Sequence, residues 1–85
     1  MLGNSAYRDR FVKAYHDYHR PVRRILYRMQ GADGLDDLVQ EAFLRVWKGL
    51  PDFHETASIK TWIYRVAVNL ALDHRKKKRL QLVEW

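Results

Sequence analysis

Four polar side chains, Thr61, Arg65, Asn69 and Lys76, recur at steps of four, four and seven, so one helix would carry them along a single side. An Asn offers the paired donor and acceptor that match an adenine edge. Directly alongside, Arg75, Lys76, Lys77, Lys78 and Arg79 make an unbroken cationic run, suited to neutralising phosphates and releasing their counterions. A second set, Asp37, Gln40, Glu41, Leu44 and Lys48, is spaced for one side of another helix. Here acidic and amide groups surround a large apolar side chain, the composition of a small protein-binding face. A lone exposed leucine is also common and needs no partner. Nothing in the chain suggests bond-making chemistry: there is no Gly-rich phosphate loop, Ser/His/Asp arrangement or His/carboxylate cluster. His16 and His19 lie one helical turn apart but lack a further ligand for a metal. The chemistry is that of binding.

The elements that must hold these groups are helices. Ser58 is a good N-cap, and Ile59, Trp62, Ile63, Val66, Ala67, Leu70 and Ala71 follow at steps of three and one, predicting a helix from Ile59 to about Leu80. Leu35, Leu38, Val39, Ala42, Phe43, Val46, Trp47 and Leu50 make the same stripe for a helix over 35–50, with Asp33, Asp36 and Asp37 favouring its start. Asn4 or Ser5 can cap a first helix with Phe11, Ala14, Tyr15 and Tyr18 on its apolar side. Pro21 lacks an N–H and clashes with the turn before it, so the expectation is two helices, roughly 7–19 and 21–30, the second carrying Val22, Ile25, Leu26 and Met29. Gly31 is the expected stop. In the loop over 51–57, Phe53 is expected to plug the core between the two later helices. Lying beside the polar side of the last helix, the loop can also form a pocket there. Residues 81–85 show no period and read as a helix end, a linker or a partner-binding tail.

The fold class is therefore all-α: a compact bundle of three to four helices over residues 1–80. Eighty-five residues allow only a limited core, which three Trp, five Tyr and three Phe enlarge. With no cysteine there are no disulfides or thiolate metal sites, and a cytoplasmic location is expected. No apolar run reaches the length of a membrane span. The net charge of +6 is unevenly placed: +5 over residues 1–30, −4 over 31–56 and +5 over 57–85. An acidic middle between basic flanks suggests two partners, one polyanionic and one with basic groups.

Three stretches closely resemble the second conserved region of bacterial sigma factors, the extracytoplasmic-function type above all. They are Asp37-Leu-Val-Gln-Glu-Ala-Phe-Leu-Arg-Val-Trp47, Leu50-Pro-Asp-Phe53, and Thr61-Trp-Ile-Tyr-Arg-Val-Ala-Val-Asn-Leu-Ala-Leu-Asp73. The pattern Tyr15-x-x-Tyr-x-x-Pro-Val-x-Arg-x-Leu26 is similar to the N-terminal helices of the same domain. The resemblance implies that Asp37, Gln40, Glu41, Leu44 and Trp47 dock on the clamp helices of the largest subunit of core RNA polymerase. It also implies that the last helix and the loop before it recognise and open the promoter minus-ten element. Thr61, Trp62, Arg65 and Asn69 match positions facing the upstream edge of that element. Phe53, His54, Glu55, Thr56 and Ala57 match a loop that receives a flipped base of the single-stranded non-template strand.

Each role has a plainer alternative. Asn69 can be an exposed residue without a partner, Arg75–Arg79 a solvated tail, and Trp62, which lies within the apolar stripe, a core residue. Ile63 stands where housekeeping sigma factors have a second Trp, which implies weaker melting and stricter dependence on promoter sequence. The resemblance further implies an anti-sigma factor as a partner, and a second, helix-turn-helix domain reading the minus-thirty-five element, which these residues do not include. The expected function is non-catalytic: recognition and opening of the minus-ten element on core polymerase. The alternatives are a polymerase- or anti-sigma-binding module without promoter activity, and a generic basic helical DNA binder.

Overall fold

One uninterrupted helix, α1 (Leu2–Gln30), opens the computed structural model, which describes the backbone of residues 2–53 and 58–83 and the side chains of residues 6–53 and 58–80. The expected break at Pro21 does not occur: the proline sits inside the helix. Its missing hydrogen bond and ring clash cost about 3 kcal/mol, but this local cost competes with burial on both sides. Val22 and Leu26 are wholly buried just beyond it and Ala14 is buried two turns before it. Each large apolar side chain so buried is worth about 1.5–3 kcal/mol, and only a continuous helix keeps all three on one line.

The glycines punctuate as the sequence suggests. Gly31 takes φ +79° and its N–H donates to the Tyr27 carbonyl at 2.7 Å, ending α1 with a left-handed residue. Gly34, also left-handed at φ +69°, starts α2 (Leu35–Gly49), whose first turn carries Asp36 and Asp37. A single 3₁₀ turn, Leu50–Asp52, takes Pro51 at its start, where the absent N–H is not needed. The Thr61 N–H then faces the Ser58 hydroxyl at 3.4 Å, a long capping contact, and the Trp62 N–H donates to the Ser58 carbonyl at 3.0 Å. The last helix, α3 (Ile59–Val83), runs past the expected end near Leu80.

The three helices share one seam. Leu38, Val39, Ala42, Phe43 and Val46 from α2 meet Val22 and Leu26 from α1 and Ile63, Ala67, Leu70 and Ala71 from α3. Among the described residues no polar or charged side chain is buried. Ala14, Ala42, Ala67 and Ala71 let the helices approach closely, and two hydrogen bonds fasten the end of α1 to α3. Gln30 Nε2 donates to the Ala71 carbonyl at 2.8 Å, and Arg75 Nη2 donates to the Met29 carbonyl at 2.9 Å. Beyond Ala71, every side chain from Leu72 to Leu80 is exposed, so α3 divides into a packed half and a projecting half.

Pro21→Ala supplies the missing N–H and removes the clash, at the loss of some unfolded-state restraint worth about 0.4–1 kcal/mol. The expected result is a net gain of about 2 kcal/mol in a urea titration; a lower midpoint would show that α1 needs the proline.

Candidate polymerase and nucleic-acid interfaces

The side of α2 turned from the seam carries Asp37, Gln40, Glu41 and Leu44, all exposed. Leu44 is 56% exposed, with a shallow, largely apolar hollow of about 420 Å³ beside it, formed with Gln40, Phe43 and Trp47 of α2 and Phe11 and Tyr15 of α1. Trp47 is less free than its neighbours. It is half-buried, stacked on Tyr7 at 4.3 Å between ring centroids and edge-on to Phe11 at 5.1 Å. Glu41 lies 3.6 Å from Arg45, whose other nitrogen lies 3.6 Å from Asp73 of α3. These exposed pairs contribute little stability, but they orient Arg45 and leave the face acidic.

On α3 the expected polar line is present. Thr61, Arg65, Asn69 and Lys76 are all exposed on the side away from the seam. Trp62 and Phe53 form a unit that the sequence did not disclose. Their rings stack at 5.0 Å and 28°, both half-buried, with the six-membered ring of Trp62 close to Gly49. Phe53 is thus not a deep plug between helices but one wall of a recess of about 410 Å³, completed by Ile59 and by Arg10, Lys13, Asp17 and Tyr18 of α1. Lys13 and Asp17 pair across one turn at 2.9 Å. The hydrogen bond from the Lys13 ammonium holds the Asp17 carboxyl below its ordinary value and raises Lys13 above its own. His54, Glu55, Thr56 and Ala57 lie outside the described residues.

Ile63 is 1% exposed and belongs to the core, so at this position a larger aromatic would face the seam and not the polar side of α3. The cationic run divides as well. Arg75 spends one nitrogen on the Met29 carbonyl, whereas Lys76, Lys77, Lys78 and Arg79 are exposed along the projecting half. This tether links residues 46 apart, beyond the reach of any local pattern. His19 packs on Tyr15 with ring centroids 4.6 Å apart, while His16 is exposed near Asp17. Among the described residues no group of three His, Cys, Asp or Glu could hold a metal ion, and no helix is long and apolar enough to cross a membrane.

Comparison with known proteins gives a consistent picture. Residues 14–81 match the family described as Sigma-70 region 2. The chain is 33% identical over 72 residues to the ECF RNA polymerase sigma factor SigW of Bacillus subtilis, covering 84% of this chain and 38% of SigW. It is 39% identical over 67 residues to SigG of Mycobacterium tuberculosis, covering 74% of this chain and 18% of SigG. The ECF RNA polymerase sigma-E factor of Escherichia coli is 33% identical over 57 residues, 67% of this chain and 30% of that protein. The chain thus spans well under half the length of these relatives. No solved structure matches it significantly.

A methyl group at Gly49 would lie 2.9 Å from Trp62 Cζ2. The helix-propensity gain of Gly49→Ala is at most about 1 kcal/mol, and overpacking costs about 1–3 kcal/mol. Because the indole is stacked on Phe53 and cannot shift freely, the clash should win, lowering stability by about 1–2 kcal/mol with a shift in tryptophan emission. Arg75→Ala should cost about 0.5–1.5 kcal/mol through its lost hydrogen bond. Replacing Lys76, Lys77 and Lys78 by Ala should leave the thermal midpoint nearly unchanged.

Proposed function

Because the chain belongs to the sigma-70 region 2 family, in its extracytoplasmic-function type, we propose that it is a promoter-recognition domain acting in the cytoplasm. It would bind core RNA polymerase through α2 and recognise and open the minus-ten element through α3. Sigma factors are initiation factors and not enzymes, so transcript synthesis belongs to the polymerase. The observation that carries this reading is the separation of two opposed chemistries on one apolar seam. An acidic face centred on exposed Leu44 lies on α2, and a neutral-to-cationic face runs along α3. On α2, Asp37, Gln40, Glu41 and Leu44 supply the contact to the clamp helices, and Trp47 contributes the edge that Tyr7 and Phe11 leave uncovered.

On α3, Asn69 supplies a donor–acceptor pair to an adenine edge, while Thr61 and Arg65 face the upstream positions and Lys76–Arg79 neutralise phosphates. Opening the duplex costs a few kcal/mol per unstacked base, which contacts to a flipped base must offset. The recess beside Phe53, with residues 54–57 that follow it in the sequence, is the proposed receiver of that base. Trp62 acts as the floor that positions Phe53 and not as a free stacking platform, since its ring is stacked on Phe53 and its six-membered ring lies close to Gly49.

That occupancy, with Ile63 in the core, also favours a second reading: a module that binds polymerase or an anti-sigma factor without promoter activity. A competition titration over single-base variants of a single-stranded minus-ten oligonucleotide, with run-off transcription on core enzyme, separates the two. Asn69→Ala should relax preference at one upstream base by about 1–3 kcal/mol. Leu44→Ala and Glu41→Lys should weaken core-polymerase binding while changing stability by less than about 0.5 kcal/mol, as at other exposed sites. Equal affinity for every oligonucleotide variant, with polymerase binding intact, leaves the second reading.

A further inference from the structure

The arginines in the second half of α1 have no part in the reading above, and the structure arranges three of them in one line. Arg20, Arg24 and Arg28 follow at four-residue steps along the outside of α1, so their Cα atoms are about 6 Å apart along the axis. All three are exposed, and among the described residues none of them makes an ion pair. Their neighbour Arg23 differs: its guanidinium is bound to Asp36 of α2. The acid supplied at this corner is thus consumed by one arginine, and the other three keep their charge unanswered.

Arg24 and Arg28 line a groove of about 310 Å³ between α1 and α3, closed by Pro21, Ile25 and Tyr64, with no acidic side chain on its walls. Tyr64 stands in α3 between Thr61 and Arg65, and the Lys60 ammonium lies 5.7 Å from its ring centroid. The groove therefore adjoins the polar line of α3. At its far end, Arg75 touches the last turn of α1 through the Met29 carbonyl. Arg24 and Arg28 in the groove thus have cationic neighbours, Lys60 beside Tyr64 and Arg75 at the Met29 carbonyl.

We propose that this groove is a second phosphate-binding surface, in which Arg24 and Arg28, with Arg20 one turn before them on the outside of α1, grip a segment of polynucleotide backbone beside the bases read by α3. The inference rests on the nucleic-acid reading of α3 and adds α1 to it. Guanidinium groups suit the task because each can donate two parallel hydrogen bonds to one phosphate. Contacts of this kind fix register and contribute affinity without sequence preference. An acidic polypeptide is the rival occupant. The half-exposed phenol ring among the arginines favours the polynucleotide, since it offers sugars and bases an apolar surface in the groove.

The test is the salt dependence of binding by the full chain to a scrambled single-stranded oligonucleotide and to its duplex, for wild type, Arg24→Gln/Arg28→Gln and Arg24→Lys/Arg28→Lys. Both positions are exposed, and thermal melts check that the fold is kept. Loss of two phosphate contacts should flatten the slope of log K against log salt by about 1.4 on the single strand and about 1.8 on the duplex. The lysine pair should restore it, and the ratio between cognate and single-base-variant oligonucleotides should not change. An unchanged slope in the glutamine pair overturns the proposal, and so does a wild-type chain that binds neither DNA. If the slope is unchanged while the glutamine pair loses affinity for polyglutamate, the groove is a site for acidic protein. Failure of base reading looks different: wild type would bind all sequences alike while the slope still responded to the arginines.

Discussion

The constraint on which the rest of this molecule depends is a seam that accepts only apolar side chains. Three helices meet along Val22, Leu26, Val39, Val46, Ile63, Ala67 and Leu70, and among the described residues no polar side chain enters. A buried polar group without a partner costs about 1–3 kcal/mol in protein mutational data, and so short a chain has little stability to spare. The consequence is a sharp division of labour. Every group able to recognise a partner is expelled to the outside of α1, α2 or α3, and the helical period fixes which side it occupies. Recognition faces can then differ in charge without disturbing the structure that presents them.

That division explains why so much was legible in the sequence. The stripes of α2 and α3, the stop at Gly31 and the cap at Ser58 are local consequences of helical spacing and backbone freedom, and they lie where the pattern puts them. The exposed lines Asp37–Leu44 and Thr61–Lys76 follow as the complement of the same stripes. The resemblance to the sigma family rests on these residues, and the match over residues 14–81 agrees with it.

What escaped the sequence depends on contacts between distant segments. Pro21 obeys its local rule in isolation and is overruled by Ala14, Val22 and Leu26, whose burial requires one straight element. Arg75 reads as one more cation of a run, yet it is the cation that touches α1. Phe53 and Trp62 both read as core residues, but they complete each other at the edge of the seam and form a wall. For the arginines of α1, which one meets an acid depended on where Asp36 falls in space.

The projecting half of α3 has a further consequence. From Leu72 to Leu80 every side chain is exposed, and the cations at 75 and 79 and their neighbours repel one another across single turns. A short isolated helix in water is marginal even without such repulsion. The backbone hydrogen bonds of this arm should therefore respond to ionic strength. Added salt would screen the repulsion and slow amide exchange there, while the amides of Ile63–Leu70 would be nearly indifferent. A polyanion lying along the arm would act as a concentrated local salt, so binding and helix formation would reinforce one another. The arm would then report its ligand by its own rigidity.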